Sequence, residues 1–213
     1  MATVRRAVST SRVSVGVFGG AFDPPHLGHV ALAEGGIEHF GLERLLVHVV
    51  ESPGHKDVAT PPDVRLRLAE LAFEPIPGVV VELDPHARTV DSLEALGLPD
   101  PVFLVGADEF ASFLSWKDPA RVLQLARLGV ATRPGTDRER LERVLEAIAR
   151  PDRVLFFSIE PLPVSSSELR ARAAAGEPID AFVPAAVAAE IAVLGLYRKV
   201  ETGGGGGMLG RDG

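Results

Sequence analysis

The stretch VGVFGGAFDPPHLGHV, residues 15–30, decides the fold of this 213-residue chain. It begins as an apolar run typical of a buried β-strand, passes through a Gly-Gly pair at 19–20, and reaches a Pro-Pro pair at 24–25 just before His26. Glycine lets the backbone leave a strand through conformations that are closed to other residues, and proline stiffens the approach to a helix. The stretch therefore predicts a strand that turns directly into a helix starting near His26.

The same alternation of short strands and longer amphipathic helices continues along the chain. β-Branched runs predict six strands, at 13–18, 45–50, 79–83, 102–105, 128–131 and 154–159. Helical patterns predict a helix that follows His26 and runs to about residue 40, a second from the proline pair at 61–62 through 74, and others at 90–96, 137–149, 166–175 and 184–194. Strands and helices in this order form parallel strands joined by right-handed crossovers. The sequence thus predicts an α/β fold, a doubly wound and mainly parallel sheet with helices on both faces.

Length and composition predict a single folded domain. We expect residues 13–199 to form that domain, residues 1–12 to be a disordered arm and the glycine-rich residues 200–213 to be a flexible tail. The arm contains three arginines and no acid but lacks the apolar run of a secretory signal, and a transit peptide is the alternative. No segment approaches the ~20 apolar residues of a membrane span, so no membrane partner is expected.

The charge and the cysteine count narrow the function further. A formal net charge of −7 argues against a nucleic-acid partner, because such binding is driven largely by neutralising phosphates. The chain has no cysteine, which excludes disulfides, thiolate metal ligands and a cysteine nucleophile. A cysteine-free chain fits the reducing cytoplasm, where we expect the protein to act. The sequence leaves open whether the chain is a monomer or a homo-oligomer.

The first loop holds the first candidate site, because ligands of doubly wound sheets bind beyond the carboxyl ends of the strands. His26 and His29 lie three residues apart on one face of the predicted helix start, with Gly28 between them. The free amides and the positive dipole of a helix start favour an anion such as phosphate. A zinc site would prefer histidines at i and i+4 with a third ligand. Taken alone the pair is more often structural, but the neighbouring glycines and prolines favour a phosphate site.

A serine cluster near the other end of the chain predicts a second helix start. The segment VSSSELR, residues 164–170, places serine oxygens where they can cap free amides and places Arg170 one turn into the helix. Alone, this segment would be a plain cap followed by a surface arginine. Together with the first loop it predicts a second anion site at the same edge of the sheet.

These segments resemble a known family. GGAFDPPHLGH resembles the G-G-x-F-D-P-x-H-x-G-H signature of nucleotidyltransferases, and within that superfamily the whole pattern is similar to the bacterial nicotinate-nucleotide adenylyltransferases. The resemblance covers roughly residues 13–197. Its later landmarks are ARTVDSLEAL, FLVGADEFASFLSWKDP, ATRPG, VSSSELR and LGLY. It implies a Rossmann-like fold and the transfer of an adenylyl group from ATP to nicotinate mononucleotide.

The resemblance also implies a set of site residues. His26, His29 and Arg170 would be catalytic, and ATP would be bound by them together with Gly19, Gly20, Phe22, Gly28, Ser166 and Ser167. The acceptor nucleotide would be bound by Lys56, Thr89, Asp108, Trp116, Lys117 and Arg133, with Trp116 stacking on the nicotinate ring. Mg²⁺ would bridge the ATP phosphates, without a resident metal site on the chain. From the sequence alone Trp116 could equally be a core residue, and an exposed lysine or arginine is usually just solvated.

Three departures from the family pattern concern the acceptor side and the first loop. Arg88 stands where the family commonly has tyrosine, Ala21 replaces a frequent threonine, and Gly54 replaces a proline beside His55. The alternatives are therefore sister enzymes that use nicotinamide mononucleotide or phosphopantetheine, or a regulator that binds nucleotide without chemistry. An NAD-dependent oxidoreductase is disfavoured because the glycine spacing differs from G-x-G-x-x-G.

Overall fold

The computed structural model describes residues 14–54, 58 and 60–198, and within them the chain alternates six strands with eight helices. The strands are β1 (Val15–Gly20), β2 (Arg44–Val50), β3 (Val79–Asp84), β4 (Val102–Gly106), β5 (Arg127–Thr132) and β6 (Val154–Ser158). The helices are α1 (Leu27–Phe40), α2 (Pro62–Phe73), α3 (Thr89–Leu96), α4 (Ala107–Phe110), α5 (Pro119–Leu125), α6 (Arg138–Ala147), α7 (Ser166–Ala174) and α8 (Ala185–Leu194). The arm and the tail expected at 1–12 and 200–213 lie outside the described residues.

The six strands form one parallel sheet in the order β3-β2-β1-β4-β5-β6. This confirms the predicted doubly wound fold. The strand order runs outward in one direction from β1 to β3 and in the other from β4 to β6, so the topological switch point lies between β1 and β4. Ligands of such sheets bind in the crevice beyond this point, which is where the loop that follows β1 begins.

Neighbouring residues of each strand point to opposite sides of the sheet and pack into two separate cores. Phe18 packs into one core with residues of α1, α2, α7 and α8, and we call this side the α1 face. Val17 packs into the other core with residues of α3, α4, α5 and α6, and we call this side the α3 face. The helices of the two phosphate-binding segments, α1 and α7, therefore share one side of the sheet.

The sequence patterns missed the short elements between β4 and β5. Helices α4 and α5 span four and seven residues, and a 3₁₀ turn (Phe113–Ser115) separates them. Such lengths are too short to show a helical period in the sequence. Asp118 caps α5 by accepting a hydrogen bond from Arg121 N over 3.0 Å, so the Asp-Pro pair at 118–119 was the available signal. No helix among the described residues is long and apolar enough to cross a membrane.

Candidate active site

The two glycines that end β1 have different reasons for being small. A Cβ on Gly20 would lie 2.9 Å from the ring of Phe22, so the protein itself requires glycine there. A Cβ on Gly19 would meet only the Phe103 ring, at an ordinary 3.5 Å. The packing around β1 therefore leaves space beside Gly19 that it does not leave beside Gly20.

His26 and His29 cap helix α1 with their side chains. His26 is the N-cap residue, and its Nδ1 accepts a hydrogen bond from His29 N over 3.3 Å. Conversely, His29 Nδ1 accepts a hydrogen bond from His26 N over 3.2 Å. The two rings stack with their centroids 3.7 Å apart. His26 thus precedes the helix as its cap and His29 lies in its first turn, in agreement with the expectation of a helix that follows His26.

This reciprocal cap determines what the imidazoles can offer a ligand. Because Nδ1 of each ring accepts a main-chain N–H, the proton of the neutral ring belongs on Nε2, which becomes a hydrogen-bond donor. His26 is 7% exposed, and burial lowers its pKa to about 4, although a backbone hydrogen bond opposes the shift. His26 is therefore a neutral donor near pH 7, so it can stabilise developing negative charge without being a proton source.

Two neighbours hold the histidine rings in place. A Cβ on Gly28 would lie 3.0 Å from Nδ1 of His26, so this glycine makes room for the capping ring. Phe22 contacts His29 edge to face, with the ring centroids 5.1 Å apart. Phe22 is 2% exposed, so its side chain supports His29 from the core.

The main-chain amides at the start of α1 are less available than the sequence suggested. Leu27 N donates to the carbonyl of Phe182 over 2.9 Å, and His29 N donates to the carbonyl of His26 over 2.8 Å as well as to its ring. The expectation that this helix start offers a row of free amides was therefore too generous. At least two of the amides at this helix start, those of Leu27 and His29, are therefore already bonded within the protein.

Helix α7 docks its N-terminus directly on the first loop. Ser165 caps the helix, accepting a hydrogen bond from Glu168 N over 3.2 Å. Ser166 Oγ donates to the carbonyl of Pro24 over 2.8 Å. Arg170 Nη1 donates to the carbonyl of Asp23 over 2.7 Å, and its Nη2 donates to Ser167 Oγ over 3.2 Å. The structure thus brings the two predicted phosphate sites together, although they lie more than a hundred residues apart in the sequence.

Two residues that hold the first loop in place, Tyr197 and Arg65, were not predicted from the sequence. Asp23 is 1% exposed, and its Oδ1 accepts a hydrogen bond from the Tyr197 hydroxyl over 2.7 Å. Burial and this hydrogen bond raise the pKa of Tyr197 far above its ordinary value. Tyr197 belongs to the LGLY segment that carried the resemblance, but nothing local in that segment reveals that it reaches the first loop.

Arg65 is the second missed residue and is 1% exposed. Its guanidinium donates to four main-chain carbonyls at distances of 2.8 to 3.0 Å, those of Ala21, Val50, Glu51 and Thr60. It therefore joins the loops that follow β1 and β2. The available signal was its position in α2, because Arg65 stands three and four residues before the buried Leu68 and Ala69.

Three of the predicted acceptor residues lie together on the α3 face. Thr89 begins α3, and Asp91 in the first turn of that helix accepts two hydrogen bonds from Lys117 Nζ, at 2.7 and 2.9 Å. Trp116 is partly buried and packs edge to face on Phe103, with the centroids 6.1 Å apart. Phe103 is the ring nearest the open side of β1. Trp116 is thus both a core contact and a neighbour of the candidate site.

The other two described acceptor residues lie elsewhere at the same edge. Arg133 Nη2 contacts Asp108 Oδ2 at 3.1 Å, and Arg133 Nη1 donates to the carbonyl of Leu162 over 3.4 Å. Leu162 lies in the loop before α7, so this pair stands nearer to the second phosphate segment than to Thr89. Lys56 and His55 lie outside the described residues.

Two of the three departures from the family pattern are neighbours in space. A Cβ on Gly54 would lie 3.7 Å from Arg88 Nη2, and Arg88 is the N-cap residue of α3. Ala21 is the third departure, and its carbonyl accepts a hydrogen bond from Arg65 Nη1. Across the described part of the chain, no group of three or more histidine, aspartate or glutamate side chains is arranged to hold a metal ion.

The comparisons with known proteins agree with this geometry. Residues 17–172, from β1 into α7, match the family model described as cytidylyltransferase-like. The chain belongs to the cytidylyltransferase-like family. Within the family it is 33% identical, over 86% of its own length and 98% of the relative's, to a "Probable nicotinate-nucleotide adenylyltransferase" of Bordetella avium. A relative of the same name from Thermomicrobium roseum is 36% identical over 88% and 92% of the two lengths.

Solved structures extend the likeness of this cytidylyltransferase-like chain to more distant proteins. Plasmodium falciparum nicotinic acid mononucleotide adenylyltransferase has been solved as complexes with APC and with NaAD. Each superposes with a TM-score of 0.67 at 16% sequence identity, covering 87% of this chain and 98% of the other. At that identity the likeness speaks for the fold alone, and it agrees with the sheet order described above.

Proposed function

We propose that this chain transfers the adenylyl group of ATP to the 5′-phosphate of nicotinate mononucleotide, producing nicotinate adenine dinucleotide and pyrophosphate in NAD biosynthesis. The observation that carries the proposal is the docking of α7 on the first loop, where Ser166 and Arg170 bond to Pro24 and Asp23. Two anion-binding segments then face one reaction centre. The relatives named above, which match nearly their whole length, support the same activity.

The reaction requires alignment and charge stabilisation more than proton transfer. A phosphate oxygen of the acceptor attacks the α-phosphorus of ATP, a new P–O bond forms, and the bond to the bridging oxygen of the β-phosphate breaks. The electron pair leaves with pyrophosphate. Because the attacking phosphate is already ionised near neutral pH, the chain needs no general base and forms no covalent intermediate.

The histidines are assigned to the α-phosphate that is transferred, and Arg170 is assigned to the pyrophosphate that leaves. The Nε2–H groups of His26 and His29 would donate to the oxygens of the α-phosphate as charge builds on them. Arg170, with Ser166 and Ser167 at the start of α7, would hold the β- and γ-phosphates and then the leaving pyrophosphate. All of these side chains are fixed by contacts within 3.3 Å to the first loop or to one another, so little reorganisation is needed.

A groove next to Arg133 suits the adenosine part of ATP. Its volume is about 870 Å³, and it lies between α1 and the loop that follows β5. Ala31, one turn of α1 beyond Gly28, and Gly35 form one wall, and Thr132 lies opposite them. The size is in the range of ordinary nucleotide pockets.

Mg²⁺ would enter with ATP and would take most of its ligands from phosphate oxygens and water, as Mg²⁺ commonly does. It would neutralise charge on the phosphates. The reaction is assigned to the cytoplasm, in keeping with the cysteine-free chain.

The decisive experiment measures pyrophosphate release by the full chain with ATP, Mg²⁺ and one acceptor at a time. Nicotinate mononucleotide should give the highest kcat/KM, with nicotinate adenine dinucleotide as product. A higher kcat/KM with nicotinamide mononucleotide or phosphopantetheine would replace the substrate assignment with the sister activity. Nucleotide binding by calorimetry without pyrophosphate release from any acceptor would instead favour a regulator.

A further inference from the structure

A buried polar cluster lies on the α3 face, outside the phosphate-binding loops. His48 of β2 is 5% exposed, and Asp84 at the end of β3 is 4% exposed. His48 Nε2 lies 3.0 Å from Glu82 Oε1, and its Nδ1 lies 3.2 Å from Ser92 Oγ and 3.4 Å from Asp84 Oδ2. On the other side β1 contributes no side chain, because the residue in register with His48 is Gly19. One buried imidazole thus faces two carboxylates and a hydroxyl.

Asp84 continues the cluster into the loop between β3 and α3. Its Oδ1 accepts a hydrogen bond from His86 N over 3.0 Å and lies 2.8 Å from His86 Nδ1. Ser92, the other partner of His48 Nδ1, belongs to α3 itself and is 4% exposed. The cluster therefore fastens both the loop and the helix to the two strands beneath them.

The surrounding charges favour the protonated form of His48. Burial alone would lower the pKa of His48, but the hydrogen bond and charge of Asp84 and those of Glu82 raise it above its ordinary value. Burial alone would raise the pKa of Asp84, but hydrogen bonds from His48, from the His86 backbone and from Ser92 bring it well below its ordinary value. Glu82 and Asp84 lie against different ring nitrogens, and only the imidazolium can donate a proton towards both carboxylates.

Helix α3 connects this cluster to the predicted acceptor residues. It begins at Thr89, and its Asp91 holds Lys117 next to Trp116. The ATP-binding helices α1 and α7 pack on the opposite side of the sheet. A hydrophobic residue would fill the place of His48 at lower desolvation cost, so the buried charge calls for a role other than filling space.

We propose that His48 is a positioning residue for the acceptor nucleotide. Through Ser92 and through the Asp84–His86 contact, it holds the β3–α3 loop and the first turn of α3 in the arrangement that binds nicotinate mononucleotide. The proposal rests on the proposed function, because it assumes that this helix faces the acceptor. It goes beyond that function by naming a buried residue whose proton controls the KM of one substrate and leaves the other unchanged.

Steady-state kinetics of the full chain test the proposal. KM for nicotinate mononucleotide and KM for ATP are measured separately from about pH 6 to about pH 9, a range that spans the titration of a histidine with a raised pKa. In the wild type, KM for the acceptor should rise as His48 loses its proton, while KM for ATP stays flat. His48→Leu should raise acceptor KM about tenfold at the lowest pH, the loss expected for one charge-assisted hydrogen bond, and abolish its pH dependence.

Two further variants keep the result interpretable. His48→Gln can still donate one hydrogen bond, so it should fold, show an intermediate acceptor KM and lack the pH dependence. His39→Gln changes an exposed histidine of α1 on the other side of the sheet and should leave both profiles unchanged. Equal rises in both KM values, or a pH profile unchanged in His48→Gln, would overturn the proposal in favour of a purely structural histidine.

Hydrogen exchange separates failure of this inference from failure of the proposed function. Amides of residues 86–92 should exchange faster in His48→Leu than in the wild type at the same pH. In the wild type their protection, after correction for the intrinsic base-catalysed rate, should be lower above the pKa of His48 than below it. If the wild type releases no pyrophosphate with nicotinate mononucleotide, the proposed function fails and with it the link to the acceptor. Unchanged exchange in an active His48→Leu variant would overturn the positioning role alone.

Discussion

The hydroxyl of Tyr197 donates to Asp23 Oδ1 over 2.7 Å and joins residues that lie 174 positions apart. Asp23 is almost completely buried, and its Oδ2 has no hydrogen-bond partner among the described residues. The same residue gives its carbonyl to Arg170. The described end of the chain is therefore one of the supports of the loop that carries His26 and His29.

Tyr197→Phe should destabilise the protein by about 1–3 kcal/mol, because it removes the hydrogen bond from the Tyr197 hydroxyl to the buried carboxylate of Asp23. Urea unfolding measures the change. Ser115→Ala is a matched control, since it removes an exposed hydroxyl–carbonyl hydrogen bond that is also 2.7 Å long, and it should change the free energy of unfolding by less than about 0.5 kcal/mol. Equal effects of the two substitutions would mean that the phenol does not support the loop.

Arg65→Met should be more damaging. It leaves four main-chain carbonyls without their donor, and unsatisfied buried acceptors cost about 1–3 kcal/mol each, so we expect a loss of roughly 3 kcal/mol or more in urea unfolding. Arg67→Met on the same helix is the control, because Arg67 is exposed and lies 3.8 Å from Glu70 in a surface ion pair. A loss from Arg65→Met no larger than that of the control would contradict the role of Arg65 in joining the loops.

The repeated alternation of strand and helix was enough to predict the fold, because each parallel strand is a short and mainly apolar run that can be seen locally. The capping roles of Ser165 and His26 also belong to local sequence, although the His-His form of the cap is unusual. The contacts of Tyr197 and Arg65 could not be predicted, since each depends on which loops the sheet order brings together. His48 likewise looks like one polar residue in an apolar strand until β3 and α3 are placed beside it.

Gly28→Ala should lower turnover without unfolding the protein. The new Cβ would lie 3.0 Å from His26 Nδ1, so the ring must move by a few tenths of an ångström, and we expect kcat to fall about tenfold. Gly36→Ala is a control on the same helix, because its Cβ would meet Leu104 Cδ1 at 2.5 Å in the core, away from both histidines and from the adenosine groove. If both substitutions reduce kcat alike, the effect belongs to the helix and not to the capping ring.

The buried His26 should make stability fall on mild acidification. The pKa of His26 is about 4 in the folded chain and 6.5 in the unfolded chain. Between these pH values the unfolded state binds a proton on His26 and the folded state does not, so acidification favours unfolding. The contribution is complete above pH 6.5 and is lost as the pH falls towards 4, up to about 3 kcal/mol.

His26→Asn isolates this effect, because asparagine is a good N-cap but does not titrate. The free energy of unfolding, measured by urea titration between pH 6.5 and 4, should fall less steeply in this variant than in the wild type. His48 contributes in the opposite window, since a raised pKa gives stability that is lost as the pH rises above 6.5. Parallel slopes for the two proteins would show that His26 keeps an ordinary pKa.

His29→Ala should remove most of the turnover and also weaken the helix cap. The imidazole is assigned as a donor to the α-phosphate, and loss of one such donor typically lowers kcat 10²- to 10³-fold, or ~2.7–4 kcal/mol of barrier. The same substitution removes the acceptor for His26 N, which should cost about 0.5–2 kcal/mol of stability. Pyrophosphate release is therefore measured at a temperature at which circular dichroism shows the variant folded.

His39→Ala provides the comparison for His29→Ala, because His39 lies near the end of the same helix and packs on Phe40 and Phe157 away from the loop. It should keep near-normal kcat, although it also loses ring contacts. If folded His29→Ala releases pyrophosphate at a rate close to that of His39→Ala, the His29 imidazole stabilises only the helix start and its assignment to the α-phosphate is wrong.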